Sequence, residues 1–449
     1  RAISYGWTGR IGQEKIESVP GAMGPTLAQV EPLRRFVPYL DVATRTGRVR
    51  PLWKGGFAGH PAGFSGDPNI TIGFIGSGVD ATHPDLRGRS AYWRDFSADQ
   101  EPAPVDYEGH ETAVAAVALG SGAAGETAAG TLRFTYASRW PSYLHMAYPV
   151  CLPPLTTVTI KSVATWTGPI AYFVHYTWIR GTSSTGLKTL NNTFIRDQSP
   201  QTLISTFSPA GDDPIAVTLT ELDNYKNLGN VVMATSVAPY PGVGDGFNRF
   251  RGVAPDCRWA AAKVVDKDGN VGSEAFLAAF DDMVLQRREI NLKVINVSFG
   301  LQDELGFPEE SLSLRDKVNS VVNQGVLVVA AAGNNATKSS TSWRRMADPP
   351  RAAQALTVGA TNDENGLTEY SNYGFPNPRA ASGEDFKPDV VAPGGSGYYS
   401  GILSADSSSA DGGGPDREPD DYVNEGGTSF AAPFVAGGAA LVVQALERQ

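Results

Sequence analysis

From Asn69 onward, short runs of apolar, β-branched residues alternate with segments whose apolar positions recur at helical spacing. Continuous apolar strands separated by helices are typical of a parallel sheet that is covered on both faces. We therefore predict an α/β fold with a doubly wound parallel sheet. The predicted strands are 70–75, 258–265, 292–299, 326–332 and 355–360, and the predicted helices are 110–119, 273–288 and 308–323.

One long stretch, residues 125–247, interrupts this alternation. It is rich in Thr, Val, Ile and aromatic residues, and Pro, Gly, Asn and Asp punctuate it. The runs "TTVTIKSVATW" (156–166) and "IAYFVHYTWI" (170–179) predict two strands joined by a turn. We predict an inserted all-β subdomain, whose aromatic residues form either its core or a recognition face. The α/β domain then consists of residues 69–124 and 248–449, after a Gly- and Pro-rich extension, 1–68.

Composition excludes several classes of partner. The chain of 449 residues has a formal net charge of −10, which argues against nucleic acid or an anionic membrane as the main partner. The longest apolar runs are shorter than a bilayer requires, so we predict no membrane span. The chain begins at Arg1 without a signal-peptide pattern, and we expect the native N-terminus to be missing. Cys151 and Cys257 either pair or are two buried thiols.

Three segments combine reactive side chains with suitable local structure. Ser429 would lie in the first turn of an apolar helix, where free N–H groups stabilise negative charge, although an N-cap serine is the alternative. His110 begins an Ala-rich helix and is suited to act as a general base, or only bonds locally. Asn334 follows a buried strand, where its amide either donates to an oxyanion or favours a turn.

Together these segments resemble the subtilisin-like serine proteases, the subtilases. The family's Ser motif is matched by Gly427, Thr428, Ser429, Ala431 and Pro433, its His motif by His110, Thr112, Val114 and Ala115, and its substrate-lining motif by Asn296, Ser298 and Gly300. The family has Gly directly after the His, where this chain has Glu111. The resemblance covers residues 69 to about 120 and 251 to the end, and leaves the insertion and the N-terminus aside.

The resemblance implies a serine endopeptidase that works through an acyl-enzyme, with Ser429 as nucleophile, His110 as general base and Asn334 as oxyanion donor. It implies a secreted or extracytoplasmic protein that acts on peptides or proteins, with residues 1–68 as a possible prosegment or inhibitor remnant. The chemistry needs no cofactor. The residues expected to contact substrate, unless the glycines only form turns, are Gly272, Ser273, Ser298, Phe299, Gly300, Ala332 and Gly333.

A structural calcium ion is also possible. Many subtilases carry a calcium-binding loop after the His helix, in the region where this chain has its insertion. Asp197, Asp212 and Asp213 lie in polar turns there, and are either cation ligands or solvated turn residues.

The departure from the family is Gly76, which stands where the catalytic Asp belongs. The flanking Ser77, Gly78 and the later "HPDL" (83–86) remain in register with the family's motif. That Asp would hold the imidazole of His110 in the useful tautomer, and its loss in subtilisin lowers kcat by about 3 × 10⁴.

Four other carboxylates are considered as substitutes: Glu111, Asp80, Asp85 and Asp106. Adjacent helical side chains point about 100° apart, so we expect Glu111 to face away from His110, and we expect no substitute. The sequence thus predicts a strongly impaired endopeptidase, or alternatively a pseudoprotease that binds peptides in the same cleft. Gly76 is then an introduced change, a natural loss, or the mark of an active variant with an unusual dyad.

Overall fold

The computed structural model divides the chain into two compact units, Arg1–Arg35 and Phe36–Gln449. In the first unit, strand β1 (Ala2–Ile3) pairs antiparallel with β2 (Gly6–Trp7). The structure describes residues 43–44, 47–123, 251–301, 310–336, 346–362, 365–374, 387–395, 402–410 and 422–448, together with strand backbones within 2–7 and 130–240.

The second unit contains all the other described elements. In chain order its strands are β3 (Thr71–Gly76), β4 (Ser90–Asp95), β5 (Gly130–Ser138), β6 (Leu144–Tyr148), β7 (Val158–Trp166), β8 (Phe173–Arg180), β9 (Leu187–Ile195), β10 (Gln201–Phe207), β11 (Thr218–Asn224), β12 (Val231–Tyr240), β13 (Arg258–Lys263), β14 (Leu292–Val297), β15 (Leu327–Ala331), β16 (Leu356–Thr361), β17 (Val390–Pro393), β18 (Ile402–Ala405) and β19 (Tyr422–Glu425). Its helices are α1 (Arg50–Trp53), α2 (His110–Leu119), α3 (Ser273–Gln286), α4 (Leu312–Asn323) and α5 (Thr428–Glu447), with a 3-10 turn at Phe57–Gly59.

The predicted doubly wound parallel sheet is confirmed. Seven strands lie in the order β17-β16-β15-β14-β3-β13-β4, and every described pairing between them is parallel. Strand β3 is buried along its whole length at the centre, with β13 on one side and β14 on the other. The strand order therefore reverses at β3, and the carboxyl ends at such a reversal are where open α/β sheets bind ligands.

Each face of the sheet has its own hydrophobic core. One core joins Ile72 and Phe74 of β3 to α2 and α5, and the other joins Ile75 to α3 and α4. Helix α5 is the one described helix long and apolar enough to cross a bilayer, but more than half of its most apolar window is buried within the protein. That burial is expected of a core helix that packs against α2 and the sheet.

The insertion contains only strands among its described elements, as predicted. They form two four-stranded antiparallel sheets with the orders β10-β7-β12-β5 and β6-β11-β8-β9. The two runs at 156–166 and 170–179 form strands β7 and β8, as predicted, and the two strands belong to different sheets, β7 to the first and β8 to the second. Cys151 and the candidate calcium ligands Asp197, Asp212 and Asp213 lie outside the described residues.

Two further details differ from the sequence prediction. Helix α4 begins at Leu312 rather than at 308, after Ser311, whose hydroxyl accepts a hydrogen bond from the N–H of Leu314. Strand β4 was not predicted, because it is an edge strand with partly exposed residues and has no continuous apolar run. Cys257 is a free, buried thiol, and burial raises its pKa to about 12.

Candidate active site

Ser429 is the second residue of α5, after Gly427 at the N-cap. Its Oγ donates a 3.2 Å hydrogen bond to the main-chain carbonyl of Ser298, just beyond the end of β14. Nitrogen atoms at a helix N-terminus have no helical acceptor, and the helix dipole favours negative charge there. The first turn of α5 therefore suits a hydroxyl that becomes an anionic nucleophile.

Pro433 explains how the main chain at Ser429 is held. Within α5, the N–H of residue 433 would bond to the carbonyl of Ser429, but proline has no N–H. The freed carbonyl instead accepts a 2.7 Å hydrogen bond from Ser298 Oγ, which in turn accepts one from Asn296 Nδ2 at 3.0 Å. Ser298 is thus bonded twice to Ser429, and this fixes the nucleophile against the end of β14.

Asn334 is held through its side-chain oxygen. Oδ1 accepts from the backbone N–H of Thr428 at 2.9 Å and from its hydroxyl at 3.0 Å. Thr428 Oγ1 also accepts from the N–H of Gly333 at 2.9 Å. Because both bonds go to the oxygen, the amide nitrogen keeps its donors for another acceptor. This arrangement is suited to an oxyanion that forms beside Ser429.

His110 is the first residue of α2 and lies against the same part of the chain. Its ring packs edge-on against Phe299 at 5.1 Å and Phe430 at 5.9 Å, the residues that directly follow Ser298 and Ser429. The side chain is 25% exposed, whereas its Nδ1 atom is buried. The imidazole therefore turns Nδ1 to the interior, as a base that works through Nε2 requires.

The prediction that Glu111 faces away from His110 was wrong. The Glu111 side chain is 1% exposed, and its Oε2 lies 3.7 Å from His110 Nδ1. The angular argument failed because it places only the Cα–Cβ bonds, whereas a glutamate has three rotatable bonds with which to turn. The sequence contained one signal that position 111 is unusual, which is the replacement of the motif's Gly by Glu111.

The pKa values of both Glu111 and His110 lie above their usual values. Burial raises the pKa of Glu111 to about 7, against the opposing attraction of His110. Burial alone would lower the pKa of His110, but the carboxylates of Glu111, Glu108 and Asp106 outweigh it and the pKa lies above its usual value.

The other carboxylates considered are already engaged. Asp106 accepts from the N–H groups of Gly109 and Thr112 and from the Thr112 hydroxyl, at 2.7 to 2.9 Å, and so caps the start of α2. Asp80 accepts two bonds each from Thr82 and Ser408. Asp85 is buried beside Arg89.

A cavity of about 500 Å³ opens beside Ser429. It includes five of the seven residues expected to contact substrate, which are Ser298, Phe299, Gly300, Ala332 and Gly333. The other two do not line it, since Gly272 is the N-cap of α3 and Ser273 begins that helix. A larger apolar cavity of about 1,070 Å³ lies between α1 and α5, and none of the predicted site residues lines it. Within the described part of the chain, no cluster of three metal-ligating side chains occurs.

Comparison with known proteins also shows similarity to subtilases. Residues 229–448 match the model of the Peptidase_S8, Subtilase family, a range that includes Asn334 and Ser429 but neither Gly76 nor His110. The chain is 33% identical over 195 residues to Subtilisin BL of Lederbergia lenta, which covers 43% of this chain and 56% of that protein. It is 32% identical over 192 residues to Subtilisin E of Bacillus subtilis (strain 168), which covers 43% and 40%.

Among solved structures, one described as a cold adapted subtilisin-like serine proteinase matches with a TM-score of 0.42 and 17% identity, over 85% of this chain and 77% of that one. The curated relatives are matched over only about half of their length. The family model thus supports a similarity to subtilases for the region that contains Asn334 and Ser429, and the two subtilisin relatives agree with it.

The role of Pro433 is testable by a double-mutant cycle. We expect Ser298→Ala to lower the free energy of unfolding by about 1–3 kcal/mol, because the Ser429 carbonyl loses its donor. In a Pro433→Ala background a backbone N–H is available to that carbonyl, so the same change should cost less. Chemical denaturation of the four proteins measures the coupling, and equal losses in both backgrounds would contradict the explanation.

The raised pKa of Glu111 predicts a pH-dependent stability. An acid whose folded pKa lies above its unfolded value contributes stability below about pH 4.5, and this is lost as the pH rises through about 7. Relative to Glu111→Gln, the unchanged protein should therefore lose about 3 kcal/mol of unfolding free energy between pH 4.5 and 8. Denaturant unfolding at both pH values tests this, with the exposed Glu289→Gln as control, and a constant difference would contradict it.

Proposed function

We propose that this chain is a subtilisin-like serine endopeptidase that hydrolyses peptide bonds through an acyl-enzyme. One observation carries the proposal: Ser429 lies in the first turn of α5 between Thr428, which bonds the amide of Asn334, and Phe430, which packs against the ring of His110, and it lines a cavity large enough for a substrate side chain. The similarity of residues 229–448 to subtilases supports the same chemistry.

Each group has a defined part in the reaction. Ser429 Oγ leaves its bond to the Ser298 carbonyl and attacks the substrate carbonyl carbon, while its proton passes to His110 Nε2. The carbonyl π electrons move to oxygen, and the amide of Asn334 donates to the resulting oxyanion. His110 then gives the proton to the leaving amine as the C–N bond breaks. Water hydrolyses the acyl-enzyme by the same steps in reverse order.

The substrate is proposed to be an extended peptide that pairs with the backbone at residues 298–300, where the chain leaves β14. The cavity beside Ser429 would take the side chain on the acyl side of the cut bond. Among the described residues its walls are largely apolar or small, including Phe276, Leu314 and Ala331, and the one carboxylate among them, Asp348, is bound by Arg315. A large uncharged side chain fits this lining best. Gly272 and Ser273 remain proposed contacts for a more distant part of the peptide.

Several features come to the proposal from the family resemblance alone. They are a secreted or extracytoplasmic location, chemistry without a cofactor, a structural calcium ion, and an inhibitory prosegment within residues 1–68. The second candidate function is a pseudoprotease that binds peptides in the same cleft, which Gly76 at the end of β3 favours. The two functions differ in whether Ser429 can be acylated.

Acylation is therefore the first experiment. We expect a fluorophosphonate probe to label the purified full chain at Ser429, and a mixed peptide library to be cut preferentially after large uncharged residues. The Ser429→Ala variant is the blank for both assays. A folded chain that neither labels nor cuts would leave the binding function instead.

The oxyanion role of Asn334 gives a quantitative test. We expect Asn334→Ala to lower kcat by about 10²–10³ with little change in KM, because the amide donates only to charge that develops during the reaction. Steady-state kinetics on one peptide identified from the library measure this. The neighbouring Asn335→Ala is the matched control, and a loss seen mainly in KM would contradict the assignment.

A further inference from the structure

The side chain of Glu111 fills the space beside the carboxyl end of β3. A carbon atom added at Gly76 in the position of a side-chain Cβ would lie 2.6 Å from Glu111 Cδ and 2.8 Å from Phe299 Cε2. Real Cβ atoms essentially never come so close to other heavy atoms. The carboxyl group of Glu111 thus occupies the volume that a side chain at position 76 would require.

The start of α2 directs Glu111 to this space. Its backbone N–H donates to Ser77 Oγ at 3.1 Å, which holds residue 111 beside the end of β3. Asp106 caps the same helix turn, so the orientation of the turn is set independently of His110. From this anchored position the glutamate side chain reaches across to Gly76.

Glu111 and His110 can each satisfy a buried polar atom of the other. Within the described residues, neither carboxylate oxygen of Glu111 has a hydrogen-bond donor, and His110 Nδ1 has no acceptor. All three atoms are buried, and such groups are costly unless they are bonded. The 3.7 Å between Oε2 and Nδ1 closes to a hydrogen bond with a small side-chain rotation.

The two departures from the family motif therefore concern the same small volume of the structure. The strand position loses its carboxylate at Gly76, and the helix position that has Gly in the motif gains one at Glu111. A side chain at position 76 would require the carboxyl end of the Glu111 side chain to move from its present position.

We propose that Glu111 supplies the third member of the catalytic group, as the positioning residue that orients His110 and stabilises its cation. This inference rests on the proposed function. Glu111 accepts the Nδ1–H hydrogen bond while Nε2 takes the proton of Ser429 Oγ and later gives it to the leaving amine. The carboxylate exchanges no proton itself. Because Glu111 takes the role of the missing Asp, the strong impairment expected from Gly76 does not follow.

An exchange of the carboxylate between the two positions tests this. Peptide hydrolysis and fluorophosphonate labelling are compared in the full chain and in Glu111→Gln, Gly76→Asp and the double variant Gly76→Asp/Glu111→Gly. We expect Glu111→Gln to lower kcat by about 10³–10⁴, with KM within about threefold. Gly76→Asp alone should lower activity or stability, because two carboxyl groups then compete for one space.

The double variant gives the decisive result, since it returns a carboxylate from the strand and clears the space. We expect its kcat to recover to within about tenfold of the unchanged chain, which a purely structural role of Glu111 would not produce. The control is Glu289→Gln, which removes an exposed carboxylate outside the candidate site and should change kcat by less than about threefold.

The outcomes separate the two proposals. An unchanged chain that is folded but neither labels nor cuts overturns the proposed function and this inference with it. An active chain whose Glu111→Gln variant keeps kcat within threefold overturns only the role of Glu111. If Glu111→Gln does not fold, the double variant decides, and a folded but inactive double variant overturns the inference.

Discussion

Space for a single carboxyl group, between the end of β3 and the first turn of α2, is the constraint on which the candidate site depends. A buried carboxylate is expensive, and it is tolerated where an imidazole can share its charge. The subtilisin motif fills this space from the strand. This chain fills it from the helix, with Glu111 beside His110, and the strand contributes only the room that Gly76 leaves. Carboxylate and base then belong to one rigid turn of helix.

Packing between α2 and α5 fixes the rest of the geometry. The helices approach so closely that a Cβ at Gly437 would lie 2.7 Å from the carbonyl oxygen of Ala118. Because His110 is the first residue of α2 and Ser429 the second residue of α5, this contact sets the base relative to the nucleophile. The two hydrogen bonds between Ser298 and Ser429, and those from Thr428 to Asn334, then hold the first turn of α5 against the sheet. The base and the nucleophile thus lie in the first turns of helices, and Asn334 lies just beyond the end of β15.

Much of this arrangement could be predicted from the sequence, because its signals are local. The helix at 110–119 was predicted with its observed bounds, and the central strands to within about two residues, since periodicity and turn residues mark them directly. The sheets to which β7 and β8 belong could not be predicted, because pairing in the insertion joins strands that are distant in sequence. The exposed edge strand β4 has too few apolar residues to be recognised.

The position of Glu111 was missed for a different physical reason. A rule about adjacent helical residues describes where side chains leave the backbone, and a long side chain next to an empty volume is not confined to that direction. The volume itself is a tertiary feature, formed by Gly76, Phe299 and the start of α2. Between the two arrangements, a strand Asp beside Glu111 would require the Glu111 side chain to move, and Gly at both positions would leave the space without a carboxyl group. Under the proposed role of Glu111, a missing motif residue together with a glycine replaced by a carboxylate nearby indicates a carboxyl group that has moved from the strand to the helix.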